Sequence, residues 1–317
     1  MKKLQFKHYS PSDKRNFLFV YLLIAIPVLQ FVIFWFYVNI SSIGLAFQNR
    51  LGEFTLVNFK NVFLNIINKN DPNKSIITMV GKSLILWLTT NVVAYPFGLA
   101  GTYVLYKRVT GHYAFRVIFS IAGIVGAVVW VSLIKGVCDP DGFVQYILTH
   151  VFHANISEKA LTDGLFLAND TAFKTIVFIT FISGAVGGSV IVTGAYTKVP
   201  PELLEAAKLD GLDFWGSFVV VSLPCSWPTL QTLITVSLCS MLVVEGNVYL
   251  YTNGTGGNGT ATMGYYLYTL TLEISKNPIT ADYYYAAALG VVISLVSIPV
   301  VLLGRRILNK VIPTVEV

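Results

Sequence analysis

Charged side chains are scarce in this chain, and four of them crowd into one short stretch. PPELLEAAKLDG, residues 200–211, carries Glu202, Glu205, Lys208 and Asp210 in a sequence whose charged fraction is only 12%. Bond-making chemistry needs a nucleophile beside a base, paired carboxylates or a cluster of metal ligands. The spacing here supplies none of these. His8, His112, His150 and His153 lack metal-ligand spacing, and Cys138, Cys225 and Cys239 form no CxxC pair. There is no GxxxxGK[ST] phosphate loop. Gly254, Gly256 and Gly259 spell GxGxxG, but a dinucleotide site requires a preceding strand and a following helix. Asn155, Asn169, Asn253 and Asn258 open formal glycosylation sequons that matter only in a secretory pathway. The residues therefore predict binding and movement, with no catalytic residue, no metal and no cofactor bound by this chain.

The charged stretch reads as a short helix followed by a stop. Pro200 and Pro201 suit a first helical turn, where no amide donor is needed. Glu202 lies early, where the helix dipole favours a negative charge. Leu203 through Leu209 are good helix formers. Gly211 suits the left-handed residue that ends a helix. Asp213 can cap a second short helix through Phe214, Trp215 and Phe218, expected to end before Pro224. Two readings stay open from the residues alone. One is an amphipathic loop lying along a membrane surface; the other is a docking surface for a cytoplasmic partner.

The elements that must position this hairpin are membrane spans. The chain has 317 residues, 55% of them hydrophobic, and soluble domains typically carry about 25% charged residues. The net charge of +6 does not point to nucleic acid, because the basic residues bracket apolar runs. Charge-free intervals place six spans at about Phe17–Val38, Ser83–Tyr106, Val117–Ile134, Thr175–Tyr196, Leu230–Leu250 and Tyr283–Leu303. The first is too long for a signal-peptide core and is expected to be retained. The interval from Glu245 to Glu273 is also free of charge, but its TNGTGGNGT run would leave backbone groups unsatisfied in lipid. Lys2, Lys3, Lys7, Lys14 and Arg15, then Lys107, Arg108 and Arg116, then Arg305, Arg306 and Lys310 fall on one side. The positive-inside rule makes that side cytoplasmic, with both termini and the 200–223 loop. The expected class is an all-α integral membrane protein with a single transmembrane domain over 1–317.

A solute path through such spans needs hydroxyl and amide groups with few fixed charges. Asn91, Ser183, Ser189, Thr193, Gln231, Thr235, Ser237 and Ser240 are interior polar candidates. Gly184 and Gly188 form GxxxG, whose first reading is close helix packing, with room for a solute as a second. Glu245 is the acid nearest a span end, either on the path or already at the external interface. Gly184, Ser237, Ser240 and Glu245 are the named path candidates. A self-sufficient ion-coupled transporter would need titratable groups inside the spans, and the spans hold almost none.

Glu205-Ala206-Ala207, Asp210-Gly211 and then Leu223-Pro224 and Pro228 resemble the EAA signature of importer-type ABC transporter permeases. Four further segments resemble the sugar permeases of that family: residues 54–63, 115–130, 139–148 and 248–268. Ile121-Ala122, Gln145 and Asn258 depart from the usual Leu-Pro, Asn and Pro. Residues 281–296 resemble the start of the family's last span. The likeness is to maltose- and glycerol-phosphate-type carbohydrate importers. It implies the type I importer permease fold, with a coupling-helix hairpin seated on a cytoplasmic ATPase. Glu205, Ala206, Ala207, Asp210, Gly211 and Pro224 would be the ATPase-coupling residues. It also implies a second homologous permease, an ATPase dimer that holds ATP and Mg, an extracytoplasmic solute-binding protein and a bacterial cytoplasmic membrane. The cargo would be a carbohydrate moved by alternating access. A non-sugar solute such as a glycerol-phosphate compound is the alternative.

Overall fold

A computed structural model describes residues 11–67, 75–109, 111–153, 157–256, 259–276 and 282–311. Lys2, Lys3, Lys7, His8, Asn155, Gly257 and Asn258 lie outside the described residues. Helices dominate, and the only β pairing among the described residues is the bridge between Gln48 and Phe54. The chain, read from sequence as one domain, divides into two compact units. One comprises Met1–Val62 with Asp282–Val291, and the other comprises Phe63–Ala281 with Val292–Val317.

In the first unit, helix α1 runs over residues 11–46 with a π-helical turn at Val32–Tyr37. Phe34 and Trp35 are exposed on it, as a lipid-facing surface requires. Asn58, on α2 (Val57–Leu64), donates its amide to the carbonyls of Ala46 and Gln48 at 3.0 and 2.9 Å. That bond pair satisfies orphan carbonyls just where α1 ends. Phe47 stacks on Phe54 and packs at a tilt against Phe59 beside it.

The second unit opens with α3 (Ile76–Tyr106), whose N-cap Ser75 accepts the Thr78 amide. Lys82, expected to flank the second span, lies inside this helix, and its buried ammonium has no partner among the described residues. Next come α4 (His112–Ile124) and α5 (Ala127–Cys138). The third expected span is therefore not one helix: extended backbone at Val125 and Gly126 divides it. Outside the apolar helices lie α6 (Phe143–His150) and α7 (Glu158–Asp163). Then follow α8 (Ala172–Val186) and α9 (Ser189–Tyr196), separated by Gly187 and by Gly188 at φ +77°. The short α10 (Pro201–Leu209) leads into α11 (Phe214–Cys239). The one-turn α12 (Val248–Tyr251), α13 (Met263–Lys276) and α14 (Tyr283–Val311) complete the series. Gly254 follows a helical turn and not a strand, so the GxGxxG run has no dinucleotide context.

Among the described residues, five helical stretches are long and apolar enough to cross a bilayer: Phe19–Ala46, Ile76–Tyr106, Ala172–Tyr196, Phe214–Cys239 and Tyr283–Lys310. The fourth of these lies well N-terminal of the expected Leu230–Leu250 window. That window instead holds half of α11, a 3₁₀ turn at Met241–Val243, and α12. The shift has a backbone cause. Pro224 was expected to stop the helix, but Phe218–Ser222 forms a π turn just before it. A proline ring clashes with the carbonyl four residues back, and a widened turn accommodates it. The same pairing occurs in α3, where the π turn Thr89–Ala94 precedes Pro96.

In lipid, helices associate through close packing and interhelical hydrogen bonds, since apolar side chains are no better hidden from lipid than from one another. Gly98 and Gly184 supply the close approach. A Cβ on Gly98 would sit 2.6 Å from the Ala185 carbonyl oxygen, and one on Gly184 would meet Ala94 and Thr90 at 3.0 and 3.1 Å. These contacts seat α8 on the π turn of α3. Ser83, fully buried, adds a polar tie: its hydroxyl donates to the Val244 carbonyl at 3.1 Å and accepts the Met263 amide at 3.0 Å.

Candidate substrate cavity and coupling hairpin

A cavity of about 410 Å³ lies within the second unit, a volume suited to a small ligand. The π turn of α3 contributes Thr90 and Asn91, with Tyr95 one turn on. Ser183 and Gly184 face it from α8, Ser237 from α11, and Asn247 and Tyr251 from the segment around α12. Its polar groups are hydroxyls and amides, and no charged residue lines it. Burial holds the Tyr251 phenol up at about 12, so it stays neutral too. Two tryptophans orient the wall: Trp130 Nε1 donates to Ser183 Oγ at 3.2 Å, and Trp87 Nε1 donates to Ser237 Oγ at 2.9 Å. Asn91 donates to the Trp87 carbonyl at 3.0 Å, which leaves its own oxygen as an acceptor. The Tyr95 hydroxyl is buried and has no partner among the described residues. A donor left unpaired in a cavity wall is a vacancy for a hydroxylated ligand.

Of the path residues named from sequence, Gly184 and Ser237 meet in this cavity and Ser240 and Glu245 do not. Ser240 ends α11 and donates to the Ser237 carbonyl at 3.0 Å. Glu245 is a cap: its carboxylate oxygens accept the amides of Asn247 and Tyr249, each at 2.8 Å, at the start of α12. It lines a different cavity of about 570 Å³, with Tyr249 and Tyr268. Ser189 and Thr193 line a third, and Gln231 bonds Asn309. Sequence reasoning missed Tyr95. Asn91 and Tyr95 are four apart in a helix, so the signal was present in their shared face.

The charged stretch forms the hairpin expected of it. Asp210 ends α10, and Gly211 follows at φ +80°. The Gly211 amide donates to the Lys208 carbonyl at 3.1 Å and the Leu212 amide to that of Ala207 at 3.0 Å. This is a Schellman stop, which only an unhindered left-handed residue completes without strain. Asp213 then caps α11, accepting the Gly216 amide at 2.6 Å. Leu204 and Ala207 are buried, while Glu205, Ala206, Asp210 and Gly211 are exposed. Leu209 is 89% exposed, with Leu203 and Trp215 also uncovered. Pro224 sits apart from these residues, inside α11.

An aromatic cluster lies where α3, α9 and α11 meet at the hairpin. Tyr103 packs at 5.0 Å from Phe214, 4.9 Å from Phe218 and 5.8 Å from Tyr196, all ring centroid distances. The Tyr196 hydroxyl donates to the Leu99 carbonyl at 3.2 Å. Lys107 lies over the Tyr103 and Tyr106 rings. Burial, and next the nearby Lys208 charge, lowers the Lys107 ammonium below its ordinary value.

An uncharged cavity among apolar helices, in a chain that also carries a charged hairpin, defines the class as a multi-span helical membrane protein. The solved structure of a bacterial ABC transporter involved in the import of the acidic polysaccharide alginate shares this fold, with a TM-score of 0.73 at 19% identity over 94% of this chain and 97% of that one. No known family profile matches the chain. The lactose transport system permease protein LacF of Rhizobium radiobacter is 33% identical over 32% of this chain. That match spans 33% of the LacF protein, a third of its length. The multiple sugar-binding transport system permease protein MsmF of Streptococcus mutans is 22% identical over 89% of this chain and 94% of its own length. The chain is similar to ABC transporter permeases, and these named relatives are sugar permeases. It is an integral membrane protein.

Proposed function

We propose that the chain is the permease subunit of an ATP-driven importer that moves a carbohydrate, in the form of an oligosaccharide, across the bacterial cytoplasmic membrane. The observation that carries this reading is the hairpin. Its acids, Leu203 and Leu209 are exposed, while its other end is packed onto the Tyr103 cluster. An apolar surface rimmed by charge is a partner site. The partner of matching role is a cytoplasmic ATPase dimer, which holds ATP and Mg because this chain has no phosphate loop. A second permease and an extracytoplasmic binding protein complete the machine. With α4 and α5 together making one crossing beside the five long helices, both termini and the hairpin are cytoplasmic, the arrangement that the basic connections favour.

In this mechanism ATP-driven closure of the ATPase pushes on Glu205, Ala206 and Gly211. The Schellman stop keeps α10 rigid against α11, and the Tyr103 cluster passes the displacement to α3 and α9. Of the helices at that cluster, α3 and α11 wall the uncharged cavity, so access alternates between the two sides. Tyr95, Asn91, Ser183 and Ser237 would bind sugar hydroxyls there.

The test is Gly211→Val in the assembled complex. No atom of the chain lies within 4 Å of the added Cβ, so the fold has room, but a β-branched residue at φ +80° is strained. Substrate-stimulated ATPase activity and uptake are expected to fall roughly five- to thirtyfold, corresponding to roughly 1–2 kcal/mol of strain at the stop. Normal uptake with the ATPase still co-purifying would remove the hairpin as the coupling element. Uptake of a charged solute, with no glycan bound by the cognate binding protein, would sink the carbohydrate assignment.

A further inference from the structure

A third cavity, of about 280 Å³, opens between α3, α4 and α9. Arg116 and Ser120 of α4 line it, together with Ser189 and Thr193 of α9, and Phe119 and Val190 supply apolar wall. The hydrogen-bond inventory is one-sided. The Thr193 hydroxyl is already committed, donating to the Ser189 carbonyl at 2.7 Å, as is that of Thr197, donating to the Gly194 carbonyl at 2.8 Å. Among the described residues the Arg116 guanidinium and the Ser120 and Ser189 hydroxyls have no partner. Ser189 is only 8% exposed, and it lines the cavity. A guanidinium and two unpaired hydroxyls in one cleft select an anion with several acceptor oxygens.

The surroundings select the carrier of that anion. Phe115, Ile118, Val190 and Ile191, on the same two helices, are 54–60% exposed and apolar, a surface that belongs in lipid. Arg116 lies four residues into α4, next to the basic Lys107–Arg108 connection, and Ser189 is eight residues before Thr197, about 12 Å deeper at 1.5 Å per residue. The cleft thus starts at the interface and reaches the depth of a glycerol backbone. We infer that it is a binding site for the phosphate of an anionic phospholipid in the cytoplasmic leaflet, with Arg116 on the phosphate, Ser120 and Ser189 on the phosphate or glycerol oxygens, and the acyl chains along the exposed α4 and α9 surfaces. Juxtamembrane basic residues at that leaflet gain further from its negative surface potential. The leaflet assignment rests on the proposed orientation; the anion site does not.

The experiment is native mass spectrometry of the assembled transporter released from nanodiscs of phosphatidylcholine containing phosphatidylglycerol. The unsubstituted complex is expected to retain phosphatidylglycerol over phosphatidylcholine. Arg116→Gln is expected to lose that retention by at least about tenfold, the effect of one charge-assisted bond. Arg116→Lys should restore part of it, and Ser189→Ala, which only removes the hydroxyl, should weaken it severalfold. Equal retention by Arg116→Gln and the unsubstituted complex would overturn the site. Binding of inorganic phosphate as tight as that of the lipid would overturn the lipid as its source. Displacement of the lipid by the transported sugar would assign the cleft to the exit path instead. The orientation fails separately: labelling of a Leu209→Cys complex from outside intact cells by an impermeant maleimide, beyond that of the unsubstituted complex with its native Cys138, Cys225 and Cys239, would place the hairpin outside, whatever the lipid result.

Discussion

At the residue scale, the side chains that matter most are those whose polar atoms lack a partner. Tyr95 is the clearest case, because it lines the uncharged cavity and its buried hydroxyl has no partner among the described residues. Tyr95→Phe is therefore expected to leave protein yield and thermal stability unchanged. The apparent KM for sugar uptake should rise about fivefold, the effect of losing one neutral hydrogen bond of about 1 kcal/mol. An unchanged KM would remove Tyr95 from the site. Glu245 shows the converse. Its acid character drew attention in the sequence, yet both its oxygens are occupied by the Asn247 and Tyr249 amides. Function at this scale follows the unpaired groups, and pairing cannot be read from residue type.

At the element scale, glycine and proline decide how the helices sit. Their positions were visible in the sequence and their effects were not. Pro224 was expected to end a helix, but it follows a π turn and the helix continues, as it does at Pro96. Gly98 and Gly184 set the approach of α8 to α3. Gly98→Ala places a methyl group 2.6 Å from the Ala185 carbonyl oxygen, so the helices must separate. Its thermal unfolding midpoint in detergent is expected to drop, by the equivalent of about 1–3 kcal/mol. Gly290→Ala, with no atom within 4 Å of the added methyl, is expected to be neutral or stabilising by up to about 1 kcal/mol. If both behave alike, close packing at Gly98 is not what seats α8. The hairpin was the best-predicted element, because its start, stop and cap are all local: Pro201, Gly211 and Asp213 act within a few residues of themselves.

At the scale of the whole molecule, the distribution of basic residues is the organising feature. The Lys107–Arg116 connection and the basic end of α14 at Arg305, Arg306 and Lys310 are expected on the same face of the membrane. A fluorescent reporter fused after Val317 should be bright in the cytoplasm, and an alkaline phosphatase fusion at the same point should be inactive. The opposite pair of results would reverse the topology and move the hairpin away from any ATPase. The expected third span, divided at Val125 and Gly126, shows where counting by composition stops short. A charge-free window measures apolar length, not helical continuity.

Composition and charge placement by themselves determined that this is a multi-span helical membrane chain with one charged, locally specified hairpin. The physical reason is that hydrocarbon admits no unpaired backbone and few charges, so spans and their flanks are written in residue type. Only the tertiary structure decided that Thr90, Asn91, Tyr95, Ser183 and Ser237 converge on one cavity while Glu245 caps a helix elsewhere. Convergence depends on how close two helices lie and where each turn widens. Those quantities are set by contacts between residues roughly ninety to one hundred and fifty positions apart, such as Gly98 with Ala185 and Trp87 with Ser237, and no local pattern encodes them.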